Sequence, residues 1–281
     1  MFNTLNKSYG YQYFIIALIA LGLLAIAAPV RAADEKKEYI MGVFPHLPPR
    51  ELEKVFSPMA ADISKALGKP VIFRTSSTYQ KFMEQLDKQV FDIAFVQPFD
   101  YVRAADKYGY KPLATRHEIL SAVIVTKQDS KLKSIKDLQN KTIALPPKVA
   151  AVSHLIEDHL TSNNLIADKN IKLTYHRSHV SCMQQVLIGA ADACGTAAPA
   201  LRFFQHKMKV SLKTIAESKA IPHTLFCIHP RIPTADKDKI QQRILGWGKT
   251  VEGNKMLERG KLKPLKPIKD EDYNVVRKMA K

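Results

Sequence analysis

The stretch His176 to Cys182, "HRSHVSC", gathers two imidazoles, a guanidinium, two hydroxyls and a thiol within seven residues. It stands between an apolar run, "IKLTYH", and a helical pattern, so its groups cluster at a strand-to-helix junction. Two chemistries compete there. Arg177 can grip a carboxylate or oxyanion as a planar fork, with His179 beside it. Alternatively His176, His179 and Cys182, spaced three residues apart, can supply ligands to a metal. A closed structural zinc site needs four ligands, and no carboxylate or second cysteine pair completes this set, so the anion reading is preferred.

Two further junctions share this character. "FDIAFVQPFDYV", Phe91 to Val102, is a buried apolar strand that stops on Gln97-Pro98 and passes at once into an aromatic-rich helix. Pro98 fixes the backbone, while Gln97 and Tyr101 offer hydrogen bonds and Phe99 reads as core. "TSSTY", Thr75 to Tyr79, also follows a strand, and its hydroxyls and free backbone amides can cap a helix or hold an anion.

The elements that must position these groups follow a β-then-α rhythm. "YIMGVF" (Tyr39 to Phe44), "VIFR" (Val71 to Arg74) and Phe91 to Val96 read as strands, separated by a helix from Glu51 to Leu67 and another from about Tyr79. Single helices between strands imply parallel pairing with right-handed crossovers. Near Ser121 a long apolar strand begins a second series. It comprises "TIAL" (Thr142 to Leu145), a helix from about Ala150 to Asn163, a strand at Ile171 to His176, a helix from about Ser181 to Ile188, and "DACGT" (Asp192 to Thr196). The strand "HTLFCIHP" and two helical stretches close the chain. There is no repeat or Gly/Ser linker. The expected fold is α/β with two lobes, each a mostly parallel sheet flanked by helices, hinged between lobes. Lobe I is expected over residues 39–122 and 222–281, and lobe II over 123–221.

Phe14 to Ala28 is an uninterrupted apolar run, preceded by Lys7 and followed by "VRA" at Val30 to Ala32. It is short for a bilayer span, so residues 1–32 are expected to be a cleavable signal peptide, with a retained anchor as the alternative. The formal charge is +17 over 281 residues, and the chain stays strongly basic without Lys7 and Arg31. Export argues against a nucleic-acid partner, and the basic residues form no aromatic-interleaved patch. They fit a solvated face that also steers anions. Export also places Cys182, Cys194 and Cys227 in an oxidising compartment. Cys182 and Cys194 flank a short helix and its following strand. They can form a bridge, sit as buried thiols, or react with ligand, and the first two readings are preferred.

The segments "FDIAFVQPFDYV", "SAVIVTKQDSKLKSIKDLQNKTIAL", "SHVSCMQQVLIGAADACGT" and "IPHTLFCIHPRIPTADKDKIQQRIL" together resemble, in order, the phosphate/phosphite/phosphonate-binding proteins of ABC transporters, a branch of the type II periplasmic binding fold. The resemblance runs from about Tyr39 to Gly260. It implies an exported, periplasmic, monomeric, non-enzymatic protein without cofactor or metal, which delivers a small anionic ligand to an ABC permease without stable membrane insertion. The ligand-binding set expected from these junctions and the resemblance together is Tyr79, Gln97, Tyr101, Ser121, Lys148, Arg177, His179 and Thr196. Alternatives are a sensor feeding a histidine kinase through a partner, answering to a sulfur oxyanion such as tetrathionate, or an enzyme or metal binder on the same fold. One departure stands out. Where the resembling family has a Ser-Thr-Ser-Gly run that grasps a tetrahedral oxyanion, this chain has Val149, Ala150, Ala151 and Val152. The resemblance therefore predicts poor binding of simple phosphonates, and favours a sulfur oxyanion or organic acid.

Overall fold

The computed structural model describes residues 38–280. The expected signal peptide lies outside them. No helix among the described residues is long and apolar enough to cross a membrane.

Two sheets organise the chain. The first contains strands β1 (Tyr39–Val43), β2 (Val71–Arg74), β3 (Ile93–Val96), β4 (Lys111–Arg116), β12 (Leu225–Ile228) and β13 (Leu265–Lys266), in the order β13-β4-β12-β3-β1-β2. β1 pairs in parallel with β2 and β3, whereas β12 runs antiparallel between β3 and β4. The second contains β6 (Val123–Lys127), β7 (Thr142–Leu145), β8 (Lys172–Tyr175), β9 (Ala193–Thr196) and β10 (Leu212–Glu217), in the order β10-β6-β9-β7-β8. β7 is parallel to β8 and β9, and β6 is antiparallel to β9 and β10. In the first sheet β12 and β4 each run against both neighbours, and in the second β6 does. A two-stranded ribbon of β5 (Ile119–Leu120) and β11 (Ile221–Pro222) joins the two lobes where the chain passes between the sheets.

The helices come where apolar periodicity and punctuation call for them. α1 (Pro49–Leu67) begins two residues before the expected Glu51, because Pro49 suits the first turn, where its missing N–H costs nothing. It buries Leu52, Val55, Phe56, Met59, Ile63 and Leu67, a helical stripe, and ends on Gly68 in the left-handed region at φ 70°. α2 (Tyr79–Asp87) is capped by Thr78, and α3 (Pro98–Tyr108) starts directly on the corner after β3. In the second lobe α4 (Ala151–Thr161), α5 (His179–Ile188) and α6 (Ala198–Met208) follow β7, β8 and β9. α7 (Thr234–Gly246), α8 (Val251–Arg259) and the short α9 (Asn274–Met279) complete the chain. A Cβ at Gly195 would lie 2.7 Å from Ile156 Cγ1 and Leu145 Cδ2, so glycine in β9 lets α4 settle on the second sheet.

Cys182 and Cys194 form a disulfide that ties α5 to β9, with the Cα atoms 5.8 Å apart. Cys227 is a free thiol buried in the first lobe.

Candidate functional site

Ligands of parallel α/β sheets sit beyond the carboxyl ends of the strands. In the first lobe those ends carry His46 after β1, Thr75 to Thr78 after β2, Gln97 after β3 and Arg116 at the end of β4, with His223 entering β12. In the second they carry Val149 to Ala151 after β7, Arg177 to His179 after β8 and Thr196 ending β9.

The lobes touch through Gln97. Its Oε1 accepts the amide of Ala151 at 2.9 Å, and its Nε2 donates to the carbonyl of Val149 at 3.1 Å and to the hydroxyl of Tyr79 at 3.0 Å. The Tyr79 hydroxyl donates in turn to the Asp100 carboxylate. Phe99 packs against His154 with ring centroids 4.7 Å apart and planes tilted by 39°, a second contact across the lobes. Tyr79, Phe99, Asp100, Val149, His154 and Met279 line a groove of about 850 Å³ between α2, α3, the start of α4 and α9. Asp100 is buried, and burial raises its pKa to about 7 against the opposing effect of the Tyr79 bond.

His179 heads α5, and its Nδ1 lies 2.9 Å from the Thr196 hydroxyl. Burial holds its pKa below the ordinary value, so at neutral pH it acts as a polar hydrogen-bonding group rather than a cation. Ser178 caps α5 by accepting the Ser181 amide, and the preceding residue, Arg177, is exposed. Arg177 forms no ion pair among the described residues. It is therefore a charge available to an anion. Lys148 is exposed and lies over the ring of Tyr175, 5.7 Å from its centroid.

Two members of the expected ligand-binding set lie elsewhere. Tyr101 is fully buried against Tyr273, and its hydroxyl donates to Asp270, so it anchors the C-terminal segment to the first lobe and does not reach the Gln97 group. Pro98, Tyr101 and Val102 are buried at helical spacing and the half-buried Ala105 continues the stripe, and that periodicity is the signal that outweighs its place near the corner. Ser121 donates to Glu217 at 2.7 Å beside the hinge ribbon. In "TSSTY", Thr75 donates to the Val43 carbonyl and Thr78 caps α2, while the buried Ser76 hydroxyl has no hydrogen-bonding partner among the described residues.

His46, Arg116 and His223 were not in that set. Burial lowers both histidines, His223 to about 4, and the charge of Arg116 pushes each further down. Arg116 reaches Glu118 at 3.3 Å. The end of the expected strand at Tyr39 to Phe44 points to His46 and the start of "HTLFCIHP" is His223, whereas no expected strand ends at Arg116, because β4 is read only from the structure. The metal alternative loses Cys182 to the disulfide, and among the described residues no group of three or more His, Cys, Asp or Glu side chains is placed to hold an ion.

The paired sheets with a hinge ribbon define the two-lobed architecture of type II periplasmic binding proteins. Residues 41–273 match the family model described as the phosphonate periplasmic substrate-binding protein of ABC transporters, and the chain belongs to that family. It is 22% identical to the phosphonates-binding periplasmic protein of Escherichia coli K12 over 290 residues, covering 95% of this chain and 84% of that one. Its fold is similar to that of PhnD1 from Prochlorococcus marinus in complex with methylphosphonate, at TM-score 0.71 and 16% identity over 86% of this chain and 97% of the other. It is likewise similar to XAC2383 from Xanthomonas citri bound to ATP, at TM-score 0.76 and 11% identity over 87% and 96%.

Proposed function

We propose that this protein is a periplasmic solute-binding protein that captures a small anion between its lobes and delivers it to an ABC permease after export through a cleaved signal segment. The lobes are taken as residues 39–122 with 222–281, and 123–221. The observation that carries the reading is Arg177, an exposed cation without an ion-pair partner among the described residues, beside the His179–Thr196 pair at the carboxyl edge of the second sheet. Ligand touching both lobes would give the closed state contacts that the open state lacks, which shifts the population toward closure. The basic surface raises the local anion concentration.

No thiol chemistry competes with this reading among the described residues. Two cysteines are bridged, and burial raises the pKa of the third. The helix start after β7 supplies backbone amides in place of side-chain hydroxyls, so a sulfur oxyanion or organic acid is favoured over a simple phosphonate. A thermal-shift screen of phosphate, phosphite, phosphonates, sulfate, thiosulfate, tetrathionate, small carboxylates and ATP tests this. Ligand at ~100 times its dissociation constant adds ~2.7 kcal/mol of apparent stability. No shift with any of these anions would refute the function.

A further inference from the structure

At the start of α4 the Ala150 amide bonds the Pro147 carbonyl and the Ser153 amide bonds the Ala150 carbonyl, while the N-cap residue, Ala150, has no side chain able to accept from the buried Ala151 amide. The acceptor comes from the opposite lobe. Gln97 Oε1 takes the Ala151 amide, and Nε2 returns a bond to the carbonyl of Val149, two residues earlier. The Tyr79 hydroxyl gives its proton to Asp100 and so must accept from Gln97. With two acceptors facing Nε2 and a donor facing Oε1, the surrounding network dictates one orientation of the carboxamide. Both interlobe bonds of this side chain end on the helix terminus where an oxyanion would be received.

We propose that Gln97 is an internal ligand of the α4 terminus: its carboxamide occupies the first amide in place of a ligand oxygen, latches the two lobes, and thereby excludes small tetrahedral oxyanions from that terminus. The proposal rests on the anion-binding reading for its specificity arm, whereas the latch stands on the interlobe bonds alone. An oxyanion reaches the Ala151 amide only by displacing Gln97, which breaks the bond to Val149 as well. Ligands that place their charge at Arg177 and leave Gln97 in position avoid that competition. Val149 to Val152 fit this arrangement, since a terminus already served by Gln97 has no need of side-chain hydroxyls.

Two variants separate the arms. Gln97→Gly removes the carboxamide. Ala151→Pro removes only the amide it accepts, at the first helical position, where proline is well tolerated. Small-angle scattering without added ligand should show a larger radius of gyration for both than for the unaltered protein. Calorimetry with methylphosphonate should show at least a tenfold gain in affinity for Gln97→Gly, and no gain for Ala151→Pro, which lacks the amide itself. An unchanged radius for both variants overturns the latch. An unchanged or weakened methylphosphonate affinity for Gln97→Gly, where the unaltered protein binds some other anion, overturns the specificity role. If the radius rises as expected but no anion binds any of the three proteins, the latch stands and the anion-binding reading fails, taking the specificity role with it.

Discussion

His179 Nδ1 lies 2.9 Å from Thr196 Oγ1, so the first residue of α5 and the last residue of β9 form one polar unit at the edge of the second sheet. The disulfide between Cys182 and Cys194 holds the same helix against the same strand. Position is thus fixed twice, by a covalent bridge behind the edge and by a hydrogen bond on it. Arg177, outside this clamp, is left to move toward a ligand.

Replacing Arg177 with Ala should weaken the best anion by ~1.5 to 3 kcal/mol, the worth of a hydrogen bond to a charged group. His179→Ala should cost less, ~0.5 to 1.5 kcal/mol, because burial keeps the imidazole neutral and only an uncharged bond is lost. Calorimetry on the two variants checks the order. Affinity unchanged from the unaltered protein in both would remove this edge from the site.

Breaking the disulfide should lower stability without abolishing the fold. The loop it closes spans a sequence separation of 12, for which the chain-entropy account gives ~3 kcal/mol. At ~2 to 4 °C per kcal/mol for a chain of this size, the Cys182→Ser, Cys194→Ser double variant should melt ~6 to 12 °C lower. Differential scanning calorimetry reads this directly, and an unchanged melting temperature would mean that the bridge is energetically idle.

The pH dependence of stability should have two opposed components. His223 is held neutral, its pKa lowered to about 4, so the unfolded chain binds its proton first. Its contribution is complete above the ordinary histidine value of 6.5 and is lost as pH falls from there toward 4. Asp100 is the reverse, since burial raises its pKa to about 7 and the folded state prefers the protonated acid. Its contribution is full below the ordinary value of 3.8 and is lost as pH rises toward 7. Urea titrations between pH 4 and 8 should therefore show His223→Gln losing less stability than the unaltered protein on acidification, and Asp100→Asn losing less on neutralisation. Parallel profiles for all three would show that neither group is perturbed.

Much of this was legible in the sequence because the central strands are short apolar runs cut off by a turn or cap, as at Val96-Gln97 and Leu145-Pro146. The strand ends then mark the edge of the candidate site without any knowledge of its partners. What a linear reading does not contain is which far residue each end meets. Gln97 is expected among the ligand-binding residues, yet its partners Val149 and Ala151 are more than fifty positions away and carry no side-chain signal, because the bonds are to backbone. α5 begins two residues before the expected Ser181 for a local reason. Ser178 and Ser181 cap each other, so the helix begins at His179, and a Ser at the third position is a weaker written signal than Glu or Gln. The hinge ribbon of β5 and β11 has two residues per strand, too few to show a period.

Tyr101 gives the sharpest contrast between the two levels of reading. The corner after β3 suggests a ligand contact, whereas in the structure its hydroxyl donates to Asp270, which also receives Arg277 at 2.8 Å, and its ring packs on Tyr273. The arginine holds the Asp270 carboxyl below its usual range despite partial burial, so the Tyr101 bond is to a charged acceptor. Tyr101→Phe keeps the buried ring and removes only that bond. Stability should fall by ~1.5 to 3 kcal/mol, the range for hydrogen bonds to charged groups, with the acceptor retaining Arg277. Affinity for the best anion should stay within about twofold, since a loss of ~0.4 kcal/mol or less is all that factor represents. Urea denaturation and calorimetry on the one variant read both quantities, and a tenfold loss of affinity at unchanged stability would return Tyr101 to the binding site.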